Sequence, residues 1–97
     1  MVVQLYGYVR NPDGSIADNY CVSIAPPAST TTFDCPNPIQ TTQNAYRLTV
    51  AAHYGQQVTV YAWKKDPATG LMLKGYAFMT VKGTSVLMPD IKLALAR

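Results

Sequence analysis

The sequence predicts an all-β fold, and three observations carry the prediction. Apolar and polar residues alternate with a period of two over several stretches, clusters of Pro, Gly, Asn and Asp fall between those stretches, and the helical period is nowhere sustained. With 97 residues the chain has room for one core, so residues 1–97 are read as a single domain.

Residues 3–10 put Val3, Leu5, Gly7 and Val9 on one face and Gln4, Tyr6, Tyr8 and Arg10 on the other. Asn11-Pro12-Asp13-Gly14-Ser15 then reads as a reversal, because Pro presets one torsion and Gly supplies a positive φ. A second strand is expected over residues 19–25 with Tyr20, Val22 and Ile24 inward, stopped by Pro26-Pro27, which cannot donate to a ladder. Residues 26–44 read mostly as loop, with a short strand at residues 30–33. Alternation resumes at residues 46–52 and 57–63. A Pro/Gly turn at residues 65–70 leads into residues 71–81, a third turn lies at Lys82-Gly83-Thr84, and Pro89-Asp90 opens a last strand at residues 91–95 with Ile91, Leu93 and Leu95 on one face. Six strands and the short one make seven. They are expected as a two-sheet sandwich, since a single open sheet would leave its apolar face in water.

Hydrophobic residues make up 48% of the chain and charged residues 13%, against roughly 25% charged in an average soluble domain. Much of the outer surface is therefore uncharged, which suits a subunit that packs against copies of itself. The formal charge is +3, but Arg10, Arg47, Lys64, Lys65, Lys74, Lys82, Lys92 and Arg97 are spread along the chain, so no basic patch points to nucleic acid. No apolar run reaches the roughly 18 residues of a membrane span. Met1-Val2-Val3-Gln4-Leu5 lacks both the basic leader and the apolar length of a signal peptide, so the chain is read either as a mature or partial form or as one not exported by that route.

Cys21 and Cys35 are read as a disulfide that staples the long loop to a strand; two unpaired thiols are the other reading. One His and two Cys do not complete a zinc site. The Ser/Thr/Pro content of the loop would permit O-linked sugars on an exported protein.

The series Leu5-Tyr6-Gly7-Tyr8-Val9, Pro12-Asp13-Gly14, Val22-Ser23-Ile24, Thr42, Tyr46-Arg47-Leu48-Thr49-Val50, Val58-Thr59-Val60 and Ile91-Lys92-Leu93 resembles the carboxypeptidase regulatory-like, or transthyretin-like, domain. The resemblance covers almost the whole chain. It differs at Asn44-Ala45, where the family has a Gly before the Tyr, and in the longer Pro/Thr loop. The resemblance implies a Greek-key-like, prealbumin-like β-sandwich acting as an accessory or structural module of secreted and cell-surface proteins, without catalysis. The branch of the family that hydrolyses a urate derivative uses several His residues, whereas this chain has His53 alone, so that activity does not carry over. The Lys and Asn that related pilin domains cross-link are also missing from the corresponding strands.

No other chemistry emerges. His53 at a strand end reads as a surface residue, since acid–base or nucleophilic work needs a partner within reach. Of Asp13, Asp18, Asp34, Asp66 and Asp90, all but Asp34 sit beside Pro, Gly or Asn, where turn stabilisation accounts for them. Asn11-Pro12-Asp13-Gly14 lacks the remaining oxygen ligands of a calcium loop. Neither a cofactor nor a metal is expected.

The outward faces are more informative. If Leu5, Gly7 and Val9 and Val58, Val60 and Ala62 fill the core, then Tyr6, Tyr8, Tyr61 and Trp63 point away from it, and Tyr76 and Phe78 join them in one register of residues 71–81. Such aromatics can be ordinary cross-strand pairs, or they can form a docking surface. The low charge favours docking. The function expected is that of an extracellular, non-catalytic subunit assembling with copies of itself into a filament, pilus-like fibre or surface layer, through sheet faces and strand edges. A soluble module binding carbohydrate or protein is the alternative, with the aromatics stacked on sugar rings.

Overall fold

The structure, a computed structural model, describes residues 1–26 and 45–95. The described chain is all-β with no helix. Its strands in order are β1 (Val2–Gly7), β2 (Val9–Arg10), β3 (Cys21–Ser23), β4 (Tyr46–Ala51), β5 (Gln57–Lys65), β6 (Met72–Thr80), β7 (Ser85–Leu87), β8 (Ile91–Lys92) and β9 (Ala94–Leu95). The short strand expected at residues 30–33 and Cys35 lie outside the described residues.

Three hydrogen-bonded sheets result, ordered β4-β1-β7, β2-β8 and β3-β5-β6-β9. β1 is central in the first, antiparallel to β4 and parallel to β7. The β2-β8 pair continues that sheet, because Met88 N–H donates to the Tyr6 carbonyl, Ile91 N–H to that of Tyr8, and Leu93 N–H to that of Arg10. From Met88 to Ile91 the chain advances three residues where its partner advances two. Pro89, which has no N–H, and Asp90 form the resulting bulge. The four-stranded sheet is antiparallel throughout, and its β5-β6 hairpin is in register from Gln57 opposite Thr80 to Lys65 opposite Met72.

Turn chemistry fixes both hairpins. At the first, Gly14 has φ 91° and Asn11 N–H donates to the Ser15 carbonyl. Asp13 Oδ1 accepts from both the Ser15 hydroxyl and the Ser15 N–H, which holds its carboxyl below the usual carboxylate range. At the second, Gly70 has φ 73° and Asp66 accepts from Ala68 N–H and the Thr69 hydroxyl.

Alternation delivers the core. Val3 and Leu5 of β1, Val9 of β2, Val60 and Ala62 of β5, Leu73 and Ala77 of β6, and Ile91 of β8 meet in one buried cluster fed by all three sheets. Tyr20 and Tyr46 are fully buried within it, and neither hydroxyl has a hydrogen-bond partner among the described residues. Burial pushes the Tyr20 phenol up to about 12. The Tyr46 phenol rises further, through burial first and then through the charges that Tyr20 and Asp90 would present to it. Both stay neutral in the folded state where an unfolded chain would ionise them above its ordinary value of 10.0. Stability is therefore complete below about pH 10 and is lost as pH rises from there through the folded-state values. Denaturant midpoints measured across this range are expected to fall, and to fall less steeply in Tyr20→Phe.

The structure corrects the sequence reading at four places. β7 was not expected; its three residues include one buried side chain, Val86, too few to show a period. The second strand is limited to Cys21–Ser23, preceded by Asn19 in a left-handed conformation, φ 48°. It ends where the Ser23 hydroxyl accepts Ala25 N–H at 3.0 Å, which leaves Ile24 exposed instead of inward. Leu95 is exposed although Ile91 and Leu93 are fully buried, because after Leu93 the chain leaves β2 and pairs with β6. The last expected strand is therefore two, β8 and β9.

Candidate functional site

Parity along β5 and β6 settles which residues share the outer face of the four-stranded sheet. Val58, Val60, Ala62 and Lys64 point inward, so Thr59, Tyr61, Trp63 and Lys65 point out. In the facing strand, Leu73 and Ala77 point inward, while Lys74, Tyr76, Phe78 and Thr80 point out. Tyr76 lies opposite Tyr61 and Phe78 opposite Thr59.

The outer face carries an aromatic row. The Tyr61 and Tyr76 rings are 6.2 Å apart and tilted by 41°, and the Tyr76 and Phe78 rings are 6.5 Å apart and stacked. Tyr76 is 62% exposed and Phe78 53%, large values for aromatic side chains held in regular strands.

Trp63 departs from the expectation. It occupies the outward parity position, but it is only 8% exposed and packs in a second buried cluster with Cys21 and Met72, against which Tyr61 leans. Cys21 is its cross-strand neighbour in β3, and Met72 lies on the same face of β6. Trp63 therefore anchors the outer layer of the sheet and is not an open docking residue. Cys21 is buried and is not a free thiol; its expected partner Cys35 lies outside the described residues.

Tyr6 and Tyr8 do not join this row. They belong to the other sheet, where Tyr6 stands opposite Arg47 of β4 and Leu87 of β7. Both rings are partly exposed, and Leu87 beside Tyr6 is exposed as well. The six aromatics thus divide into a row of three, a separate pair, and a buried Trp.

A cleft of about 520 Å³ opens beside the aromatic row, lined by Pro26, Tyr61, Lys74, Tyr76, Lys92 and Leu95 among others. Lys74 and Lys92 give it positive charge. Sequence reading did not join these lysines, because Lys92 reaches the cleft only through the switch of the last strand onto β6. No family model, curated protein or solved structure matches the chain.

Other candidates stay apart. His53 is exposed between β4 and β5, with Nδ1 3.1 Å from the Tyr54 carbonyl oxygen. Asp90 pairs with Arg10 at 2.7 Å on the surface, next to the bulge. Lys64, which the sequence reading grouped with the scattered basic residues, is buried at the end of the core and reaches Asp18 at 3.1 Å. Among the described residues no group of three His, Cys, Asp or Glu could hold a metal ion, and no helix is long and apolar enough to cross a membrane.

Proposed function

We propose that the chain is a non-catalytic structural subunit that associates with copies of itself, through the outer face of the four-stranded sheet and the strand edge beside it, in an extracellular fibre or surface layer. One observation carries this reading: Tyr76 and Phe78 are stacked on each other and more than half exposed. Exposed apolar surface of this kind is stabilised when a partner removes it from water, by about 25 cal/mol per Å². The second apolar face, with Tyr6, Tyr8 and Leu87 on the other sheet, gives a subunit two places to bind neighbours, which a fibre needs.

Counting β1 with β2 and β7 with β8 as single strands leaves seven, which supports a two-layer, Greek-key-like, prealbumin-like sandwich. A Cys21–Cys35 bridge would suit an oxidising, extracellular setting.

The test is the mass of the purified protein as a function of concentration, with imaging of the material. Tyr76→Ser is expected to weaken association about tenfold or more while leaving the free energy of unfolding within about 0.5 kcal/mol of wild type. A protein that stays monomeric at every concentration would remove the reading. The cleft with its two tyrosines and two lysines favours a second reading, a module that binds acidic sugars by ring stacking and charge. A monomer that binds uronic-acid oligosaccharides, and stops doing so in Lys74→Ala, would establish that reading instead.

A further inference from the structure

β6 is only half covered along the side away from β5. β9 pairs with it at Leu73 and Lys74 alone. At Gly75 the last strand crosses so closely that an added Cβ would stand 2.7 Å from the Lys92 carbonyl oxygen. Past that point no strand among the described residues pairs with β6 on this side. Along residues 76–80, Tyr-Ala-Phe-Met-Thr, the backbone donors and acceptors on this side therefore have no strand partner among the described residues. Native edges are normally blunted by charge, proline or a bulge, and this segment has no charged residue and no proline.

The side chains repeat the message. Met79 lies on the inward parity of β6 with Leu73 and Ala77, yet it is 38% exposed, because the sheet ends beside it. A cleft of about 270 Å³, lined by Met79, Thr80, Val86 and Leu87 with Lys82 among the others, opens on the same side, between β6 and β7. The core is thus open at this edge.

We infer that residues 76–80 pair antiparallel with the same residues of a second copy, about a two-fold axis at Phe78. This rests on the self-assembly reading and names its contact. A second copy is the occupant the geometry selects. The free segment is bounded by β9 at one end and by the end of β6 at the other, and Phe78 is its midpoint, so centring the axis there pairs the whole segment and avoids β9. In that register each Tyr76 faces the partner's Thr80, and each Ala77 faces the partner's Met79, covering the open end of both cores. The two Phe78 rings meet across the axis on the outer face. The five paired residues carry no charge and the contact is self-complementary and closed, while Lys74 of each copy approaches Lys82 of the other at its two ends, so association is expected to strengthen as salt screens those cations. A fibre built from such dimers would use the opposite apolar face for its second contact.

Cysteine placement tests the register in the full chain. Under mild oxidation Phe78→Cys is expected to give a covalent dimer on a non-reducing gel. Tyr76→Cys alone should not, but a mixture of Tyr76→Cys and Thr80→Cys should cross-link. Phe78→Lys, which sets two cations opposite each other at an exposed position, is expected to raise the concentration for half-association roughly tenfold or more with the unfolding midpoint unchanged. If wild type associates but Phe78→Lys leaves association unaltered and Phe78→Cys stays uncross-linked, the edge pairing is wrong and self-assembly stands on another surface. Wild type remaining monomeric throughout would overturn both.

Discussion

Gly75→Ala is expected to lower the free energy of unfolding by about 2–4 kcal/mol. A Cβ at this position would lie 2.7 Å from the Lys92 carbonyl oxygen and 2.8 Å from Ile91 Cγ2. Neither neighbour can move cheaply, since the oxygen is backbone and the Ile91 side chain is fully buried. Relief requires the last strand to lift from β6, and that strand also holds Leu93 in the core. Gly83→Ala is the control, because a Cβ there meets nothing within 4 Å, and its effect should stay within about 0.5 kcal/mol. Denaturant unfolding measures both, with an unchanged slope showing that the change lies in stability. Equal midpoints for the two variants would mean that the crossing at Gly75 is not close.

Asp18→Ala is expected to cost about 2–3 kcal/mol, whereas Lys64→Met is expected to be close to neutral. Lys64 is on the inward face of β5 with its side chain 9% exposed, and Asp18 is the carboxylate 3.1 Å from its ammonium. Removing the acid leaves a cation held away from water, and the loss is set below that of a fully buried pair because water still reaches Asp18. Methionine keeps the apolar stem and removes the charge, so nothing is left uncompensated. In the Lys64→Met background, Asp18→Ala should lose most of its effect, which a double-mutant cycle measures directly. Undiminished loss in that background would assign Asp18 a role in its own loop instead.

How far the sequence was legible follows from the range of each signal. The Asn11–Ser15 and 65–70 reversals were visible because Gly14, Gly70, Asp13 and Asp66 act within a few residues of themselves. The β5-β6 hairpin was visible for the same reason, and so was the inward set Val58, Val60 and Ala62. β7 was not, because its pairing is parallel to a strand some 80 residues away and its own three residues show no period. The strand switch at Leu93 was equally hidden, since it depends on two sheets that exist only once the chain has folded. At the candidate site, period two gave the outward parity of Tyr61, while Tyr76 and Phe78 hung on the register of residues 71–81, which the pairing of β6 with β5 fixes. It also gave that of Trp63, but parity sets direction and not coverage. Cys21 and Met72 on the same face turn an outward Trp into a buried one.

The pairing of β1 with β7, and of β2 with β8, has a kinetic consequence. β1 is the middle strand of its sheet, and one of its two neighbours is made only when residues 85–92 are. A nascent chain emerging N-terminus first holds β1 with that flank bare until residues 85–92 have been made. Loop closure over so long a separation slows folding, and an unsatisfied β1 on the ribosome invites mispairing with neighbouring nascent chains.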